Sequence, residues 1–180
     1  MSLLSYLELV DLVKSGVINA DPSRINGSSI DITLDKIIRK ESVFSLNIVL
    51  LGQKNNISTI EQDISDVGYI LAPGEFILAS SVETFNLPNY ISCEYKLKSS
   101  MARNGLEHLN AGWADASWHS SKLTLELKNV TRFHHLLLNE GMAIGQMVFF
   151  RHEPVPSDKS YAVKGQYNGQ SKVTESKGIR

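Results

Sequence analysis

Cysteine is almost absent from the sequence: Cys93 stands alone, so one chain can build neither a disulfide framework nor a cysteine-based metal site. A reducing compartment, the cytoplasm, is expected. An excess of either charge is missing too, since 18 basic against 19 acidic residues leave a net charge of −1. That balance gives no bulk pull toward nucleic acid, so a polyanionic ligand has to be small and held by a local basic cluster. No apolar run approaches membrane-spanning length, and the first residues lack a basic leader and carry Glu8 and Asp11 within their apolar pattern. A protein neither membrane-bound nor exported is expected. Repeats and low-complexity tracts are also lacking, and 180 residues suffice for a single core without disulfides or metals.

What is present reads mainly as short strands. Residues 5–16, SYLELVDLVKSG, form the exception, an amphipathic helix with Ser5 and Glu8 as a capping box, Gly16 past its end, and Leu4 placed to staple onto Leu9. After a turn region at 21–27, strands are expected at 29–34, twice within the looser stretch 41–67, where the polar patches QKNN and EQDISD lie between short apolar runs, at 69–87 around a Pro73-Gly74 turn, and at 91–97. Leu123, Leu125 and Leu127 alternate with Thr124, Glu126 and Lys128 and place one face of a further strand in a core. Residues 134–138 and 147–150 complete the set. Strands this short, about ten residues apart with turn signals between, argue for an all-β sandwich or barrel. Residues 154–180 are polar and rich in Lys, Ser and Gly, a composition that predicts a disordered tail.

The densest stretch chemically is 98–126. Ser99 and Ser100 follow a strand and precede MARNG, about one helical turn closed by Gly105. A serine cap there, with Lys98 beside it, leaves backbone N–H groups suited to phosphate. Arg103, four residues after Ser99, shares its face. The same residues also fit a capping serine and a solvated arginine. Glu126 lies on the face opposite the leucines, as a solvated acid or, where that face lines a cleft, as a general base. Asp115 poses the same question. His134 and His135 are adjacent on an expected strand, face opposite ways, and lack the partners of a zinc site.

KSSMARNGL, AGWADASW and LTLELKN together resemble the deoxycytidine triphosphate (dCTP) deaminases. RINGSSIDITL at 24–34, LAPGEFILASSVETFNLP at 71–88, GMAIGQMVFF at 141–150 and KGQYNGQ at 164–170 match further segments of that family in order. The resemblance implies a mainly β fold, a distorted barrel or jelly roll of the trimeric dUTP pyrophosphatase (dUTPase) type, with a short N-terminal helix and a short helix after Lys98. Residues 1–153 would form the barrel and 154–180 a flexible lid that orders over nucleotide. It implies hydrolysis of dCTP to dUTP and ammonia, with Glu126 as general base, Ser99 and the backbone of Ala111 positioning water, and Arg103 supplying charge. Lys98, Ser100 and Gln170 would hold phosphates, Trp113 and Asp115 would meet base and deoxyribose, and Tyr161, Lys164, Tyr167 and Gln170 would belong to the lid. A homotrimer is implied, because facing subunits complete each pocket. Magnesium accompanies the triphosphate without protein side-chain ligands, no zinc takes part, and dTTP is a candidate inhibitor. Zinc deaminases need a His and Cys set that one cysteine cannot supply.

The chain departs from the family at Lys98, where Arg is usual, at Ala116-Ser117, where Pro-Gly is usual, and at Ser120, where Gly is usual. Three alternatives stay open: a bifunctional enzyme that carries dCTP to dUMP with Asp115 orienting a second water, a dUTPase, and a catalytically silent nucleotide-binding homologue. The dUTPase pattern Asp-x-x-Tyr-x-Gly is missing, since 116–122 holds neither Tyr nor Gly. Asp31 reads as a structural acid bonded to neighbouring backbone, and His119 as a gate or an exposed side chain.

Overall fold

The computed structural model describes residues 1–42, 48–53 and 57–179. In chain order the elements are β1 (Ser2–Leu3), α1 (Tyr6–Lys14), β2 (Ile18–Asn19), β3 (Ile30–Thr33), β4 (Ile37–Glu41), β5 (Thr59–Asp63), β6 (Tyr69–Leu71), β7 (Phe76–Asn86), β8 (Ile91–Leu97), α2 (Ser99–Arg103), β9 (Leu106–His108), β10 (Trp113–Ala114), β11 (His119–Asn129), β12 (Leu136–Leu138), β13 (Ala143–Arg151) and α3 (Tyr161–Lys164). Every pairing is antiparallel. One sheet runs β1-β13-β8-β10 with β3 also on β13, and the other runs β5-β4-β7-β11-β9 with β2 also on β7. β12 and β6 make a small third sheet. No helix among the described residues is long and apolar enough to cross a membrane.

The core lies where the apolar faces of the two sheets meet. Leu125 and Leu127 of β11, Ile77 and Ala79 of β7, Ile32 of β3 and Phe149 of β13 are all fully buried, each aliphatic or aromatic side chain contributing roughly 1.5–3 kcal/mol by leaving water. The alternation at 123–128 is therefore a true strand signal: the leucines point inward, and Thr124, Glu126 and Lys128 are half-buried on the other face. One carboxylate sits between the sheets. Glu83 of β7 accepts from the Thr33 N–H (3.0 Å) and hydroxyl (2.6 Å) of β3, and burial pushes its carboxyl above the ordinary range against the lowering effect of those bonds. Cys93 is buried in the same core.

The N-terminal helix follows its sequence signals. Glu8 accepts from the Ser5 N–H at 3.0 Å and from its hydroxyl at 3.1 Å, Leu4 and Leu9 are fully buried, and Gly16 ends the helix at φ +75. Other expectations need correction. Lys98, not Ser99, caps α2: its carbonyl accepts from Met101 and Ala102, while its own N–H is taken by Ile144 O at 3.1 Å. The strand expected at 134–138 shrinks to β12, because Asn129 Nδ2 and the Thr131 hydroxyl both donate to His134 O and hold that residue in a turn. His134 and His135 consequently lie outside any strand, and both are exposed. The strand expected at 147–150 extends to the whole of β13, which pairs on two sides. Of the two strands expected in 41–67, the described residues hold one, β5; β4 ends at Glu41, where that stretch begins, and most of the QKNN patch lies outside the described residues.

Two serines sit in left-handed backbone, Ser117 at φ 71 and Ser120 at φ 51. These are the positions where glycine was expected from the resemblance. A side chain in that region costs about 1–2 kcal/mol, against about 0.5–1 kcal/mol of extra chain entropy for glycine. Ser117→Gly is expected to raise the thermal midpoint by about 1–4 °C, measured by calorimetry or circular dichroism; an unchanged or lowered midpoint contradicts the strain.

The polar tail is seated on the barrel. The Lys122 N–H donates to Gln170 O at 2.8 Å and Gln170 Nε2 returns a bond to Lys122 O at 2.7 Å. Trp118 Nε1 donates to Tyr167 O at 2.9 Å, Val173 is buried, and Glu175 meets Arg39 Nη2 at 3.1 Å. Residues 167–175 thus run beside β11 and over its outward face.

Candidate active site

Between that tail and the outward face of β11 lies a cavity of about 600 Å³. Register decides its floor. Glu126 stands opposite Leu78 and Lys128 opposite Phe76 across the β11–β7 pair, and Glu126, Leu78, Phe76 and Thr124 line the cavity together. Ala111 and Trp113 form one wall, and Tyr161, Tyr167 and Gln170 of the tail form the roof. The result is a mostly apolar chamber with two carboxylates, Glu126 from the floor and Glu175 from the tail, a setting in which an acid can take part in proton transfer.

Glu126 keeps 26% of its side chain exposed, and its Oε2 lies 3.3 Å from His108 Nε2. Trp113 is half-exposed, stacks on Phe150 at 6.1 Å, and donates its indole N–H to Asp115 Oδ1 at 2.9 Å. Burial pushes the Tyr161 hydroxyl above its usual range. Gln170 uses Nε2 on the barrel and leaves Oε1 buried without a partner.

Six of the sequence-derived candidates meet here: Glu126, Ala111, Trp113, Tyr161, Tyr167 and Gln170. Asp115 and Lys164 line a smaller neighbouring cavity of about 320 Å³, and Tyr161 is shared between the two. The α2 group does not reach the main cavity within one chain. Ser99, Ser100 and Arg103 are exposed at the end of the other sheet, and Lys98 Nζ is bound to Asp31 Oδ2 at 2.7 Å. Asp31 also accepts from Asn26 Nδ2 at 2.8 Å, so its structural role rests on two side chains and not on neighbouring backbone. Sequence reasoning missed His108 and Tyr95, which lie against Glu126. Neither carried a motif, and the three-residue β9 is too short to show a period.

Protein metal ligands are sparse around the cavity. Glu175 is engaged by Arg39 and the Thr59 hydroxyl, Asp115 by Trp113, and among the described residues no group of three or more His, Cys, Asp or Glu gathers. That donor set does not fit an all-protein cage for a divalent ion.

Comparison with known proteins places the chain. Residues 3–152 match the "dCTP deaminase-like" family. A protein of Corynebacterium efficiens named "dCTP deaminase, dUMP-forming" is 34% identical over 175 residues, 94% of this chain and 89% of that one. Its namesake from Persephonella marina is 33% identical over 180 residues, 97% of this chain and 96% of that one. Among solved structures, the 2'-deoxycytidine 5'-triphosphate deaminase of Agrobacterium tumefaciens matches 82% of this chain with a TM-score of 0.65 at 19% identity, a likeness of fold. This chain spans about half, 47%, of that chain's length. With five-sixths of its residues inside the family match and relatives a third identical along nearly its whole length, the chain belongs to the dCTP deaminase-like family.

Proposed function

We propose that this chain is a hydrolase that deaminates dCTP and carries the nucleotide on to dUMP, releasing ammonia and pyrophosphate with two waters consumed. The observation that carries the reading is the Glu126 carboxylate in the floor of the cavity beneath Tyr161 and Gln170. The dUTP product expected from the sequence is corrected here, because the similar proteins of Corynebacterium efficiens and Persephonella marina are both named dUMP-forming.

In the proposed mechanism Glu126 takes a proton from water as the hydroxide adds to the ring carbon bearing the exocyclic amine, and passes that proton to the adjacent ring nitrogen. The same carboxylate then takes the proton of the new hydroxyl and hands it to the departing ammonia as the carbonyl forms. The backbone at Ala111, in the cavity wall, holds the water. Ser99, Arg103, Lys98 and Ser100 lie outside the cavity of their own chain, and in a homotrimer α2 of a neighbouring subunit supplies them, Arg103 stabilising developing charge and Lys98 and Ser100 holding phosphate. Lys98 then exchanges Asp31 for phosphate. Asp115, in the adjoining cavity with Lys164, orients the second water toward the phosphoanhydride. Magnesium enters as counter-ion of the triphosphate, part of the substrate, on phosphate oxygens and water. dTTP, which shares the sugar and triphosphate, competes for the site, and the work is done in the cytoplasm.

Incubation of the purified protein with dCTP and magnesium tests this, with ammonia, dUTP, dUMP and pyrophosphate followed together. Ammonia, dUMP and pyrophosphate in equal amounts are expected. Ammonia with accumulating dUTP removes the second hydrolysis, and unchanged dCTP removes the reading.

A further inference from the structure

Behind Glu126, on the side away from the cavity, three buried polar atoms have no hydrogen-bond partner: the Tyr95 hydroxyl, His108 Nε2 and Glu126 Oε2. They are neighbours. The Tyr95 and His108 rings lie 4.5 Å apart between centroids, and the imidazole nitrogen is 3.3 Å from the carboxylate oxygen but off the line of a hydrogen bond. Buried polar groups are nearly always satisfied in native proteins, so three unmet together directly behind the expected base need a reason.

Their placement supplies one. Tyr95 comes from β8 in one sheet, while His108 and Glu126 come from β9 and β11 in the other. Tyr95 is fixed on both sides: a Cβ at Gly145 would stand 2.1 Å from its ring, and its N–H donates to Gly112 O at 2.8 Å. Gly112 adjoins Ala111 in the cavity wall, so the same tyrosine ties that wall to the histidine. Burial, and next the Glu126 charge, push the Tyr95 hydroxyl above its usual range, which keeps it a neutral hydroxyl.

We propose that His108 is a positioning residue for Glu126. A small turn of the imidazole brings Nε2–H into line with Oε2, which fixes the carboxylate and leaves Oε1 facing the cavity to take the proton from water. Tyr95 holds the plane of the imidazole. Catalytic hydrogen bonds are commonly long or misaligned before substrate binds, and a donor aimed at one carboxylate oxygen favours the ionised form a base requires. This inference rests on Glu126 as the base of the proposed deamination.

The test compares His108→Leu, His108→Gln and Tyr95→Phe with the unaltered protein in ammonia release from dCTP, each checked for folding by thermal unfolding. Tyr95 and Glu126 are the titratable groups facing His108, with Glu107 and Lys128 opposite each other alongside in the β9–β11 register. His108→Leu is expected to lower kcat about 10- to 100-fold with KM changed less than about threefold. His108→Gln, whose amide can donate, should regain most of the loss, and Tyr95→Phe should cost only a few-fold. A folded His108→Leu with kcat within threefold of the parent overturns the proposal, as does a loss confined to KM or a glutamine no better than leucine. Nitrogen-15 chemical shifts of the imidazole read the contact without turnover: the Nε2 resonance should move in Glu126→Gln, and an unchanged resonance overturns the contact. Absence of ammonia from the unaltered protein defeats the deaminase reading instead, and is told apart because the imidazole resonance still reports the pair.

Discussion

Glu126→Gln should stop ammonia release from dCTP, with kcat falling by about 10³-fold or more, while dCTP still binds with affinity close to the parent's. Glutamine keeps the size of the side chain and an oxygen acceptor but cannot take up a proton, so the change removes the chemistry and little of the packing. Glu126 lies on the outward face of β11, with 26% of its side chain exposed, and its one buried neighbour of opposite polarity, His108 at 3.3 Å, can still meet the amide oxygen of glutamine. Calorimetric titration with dCTP and magnesium, beside the ammonia assay, makes the measurement. Binding without turnover marks a catalyst that has lost its base. Turnover within tenfold of the parent would remove Glu126 from that role, and a parent that binds but never releases ammonia would favour a silent nucleotide-binding homologue.

The second large effect concerns assembly. Arg103 and Glu126 do not line one cavity within a single chain, and the proposed homotrimer joins them across a subunit boundary. Arg103→Ala and Glu126→Gln should each be nearly inactive alone. Co-expressed in equal amounts, they should regain about a quarter of the parent's activity. The reason is combinatorial: a site works when one subunit supplies an intact Glu126 and its neighbour an intact Arg103, each with a chance of about one half in a cyclic assembly. No recovery from verified mixed oligomers would mean that both residues serve the same chain's site, and a monomer by light scattering would refute the shared pocket outright.

How much of this was legible in advance depended on whether the deciding contacts were local. Ser5, Glu8 and Gly16 specify α1 within a dozen residues, and that helix could be read almost to its ends. Ile91–Leu97 and the leucines at 123, 125 and 127 carry a period of two long enough to reveal a strand and a buried face, which is why Glu126 could be placed opposite the core. Where a distant partner decides, the sequence was silent. Lys98 caps α2 because Ile144 takes its N–H, and Asp31 is bound by a lysine 67 residues away. His108 gains meaning only from Tyr95 on one side and Glu126 on the other. The separation of Arg103 from Glu126 is likewise invisible in the motif, whose closeness along the chain suggests a single cluster. Motif spacing gave the candidate residues, but it could not show which of them share a cavity.

Cys93, buried in the core with its thiol pushed well above the usual range by that burial, has a practical consequence for labelling chemistry. Maleimides and other electrophiles attack the exposed thiolate, and this protein presents none. A cysteine introduced at an exposed tail position such as Ser171 would therefore be the single thiol a dye can reach, with no background to subtract. Whether residues 167–175 stay seated over Glu126 can then be followed by fluorescence in an otherwise unaltered chain.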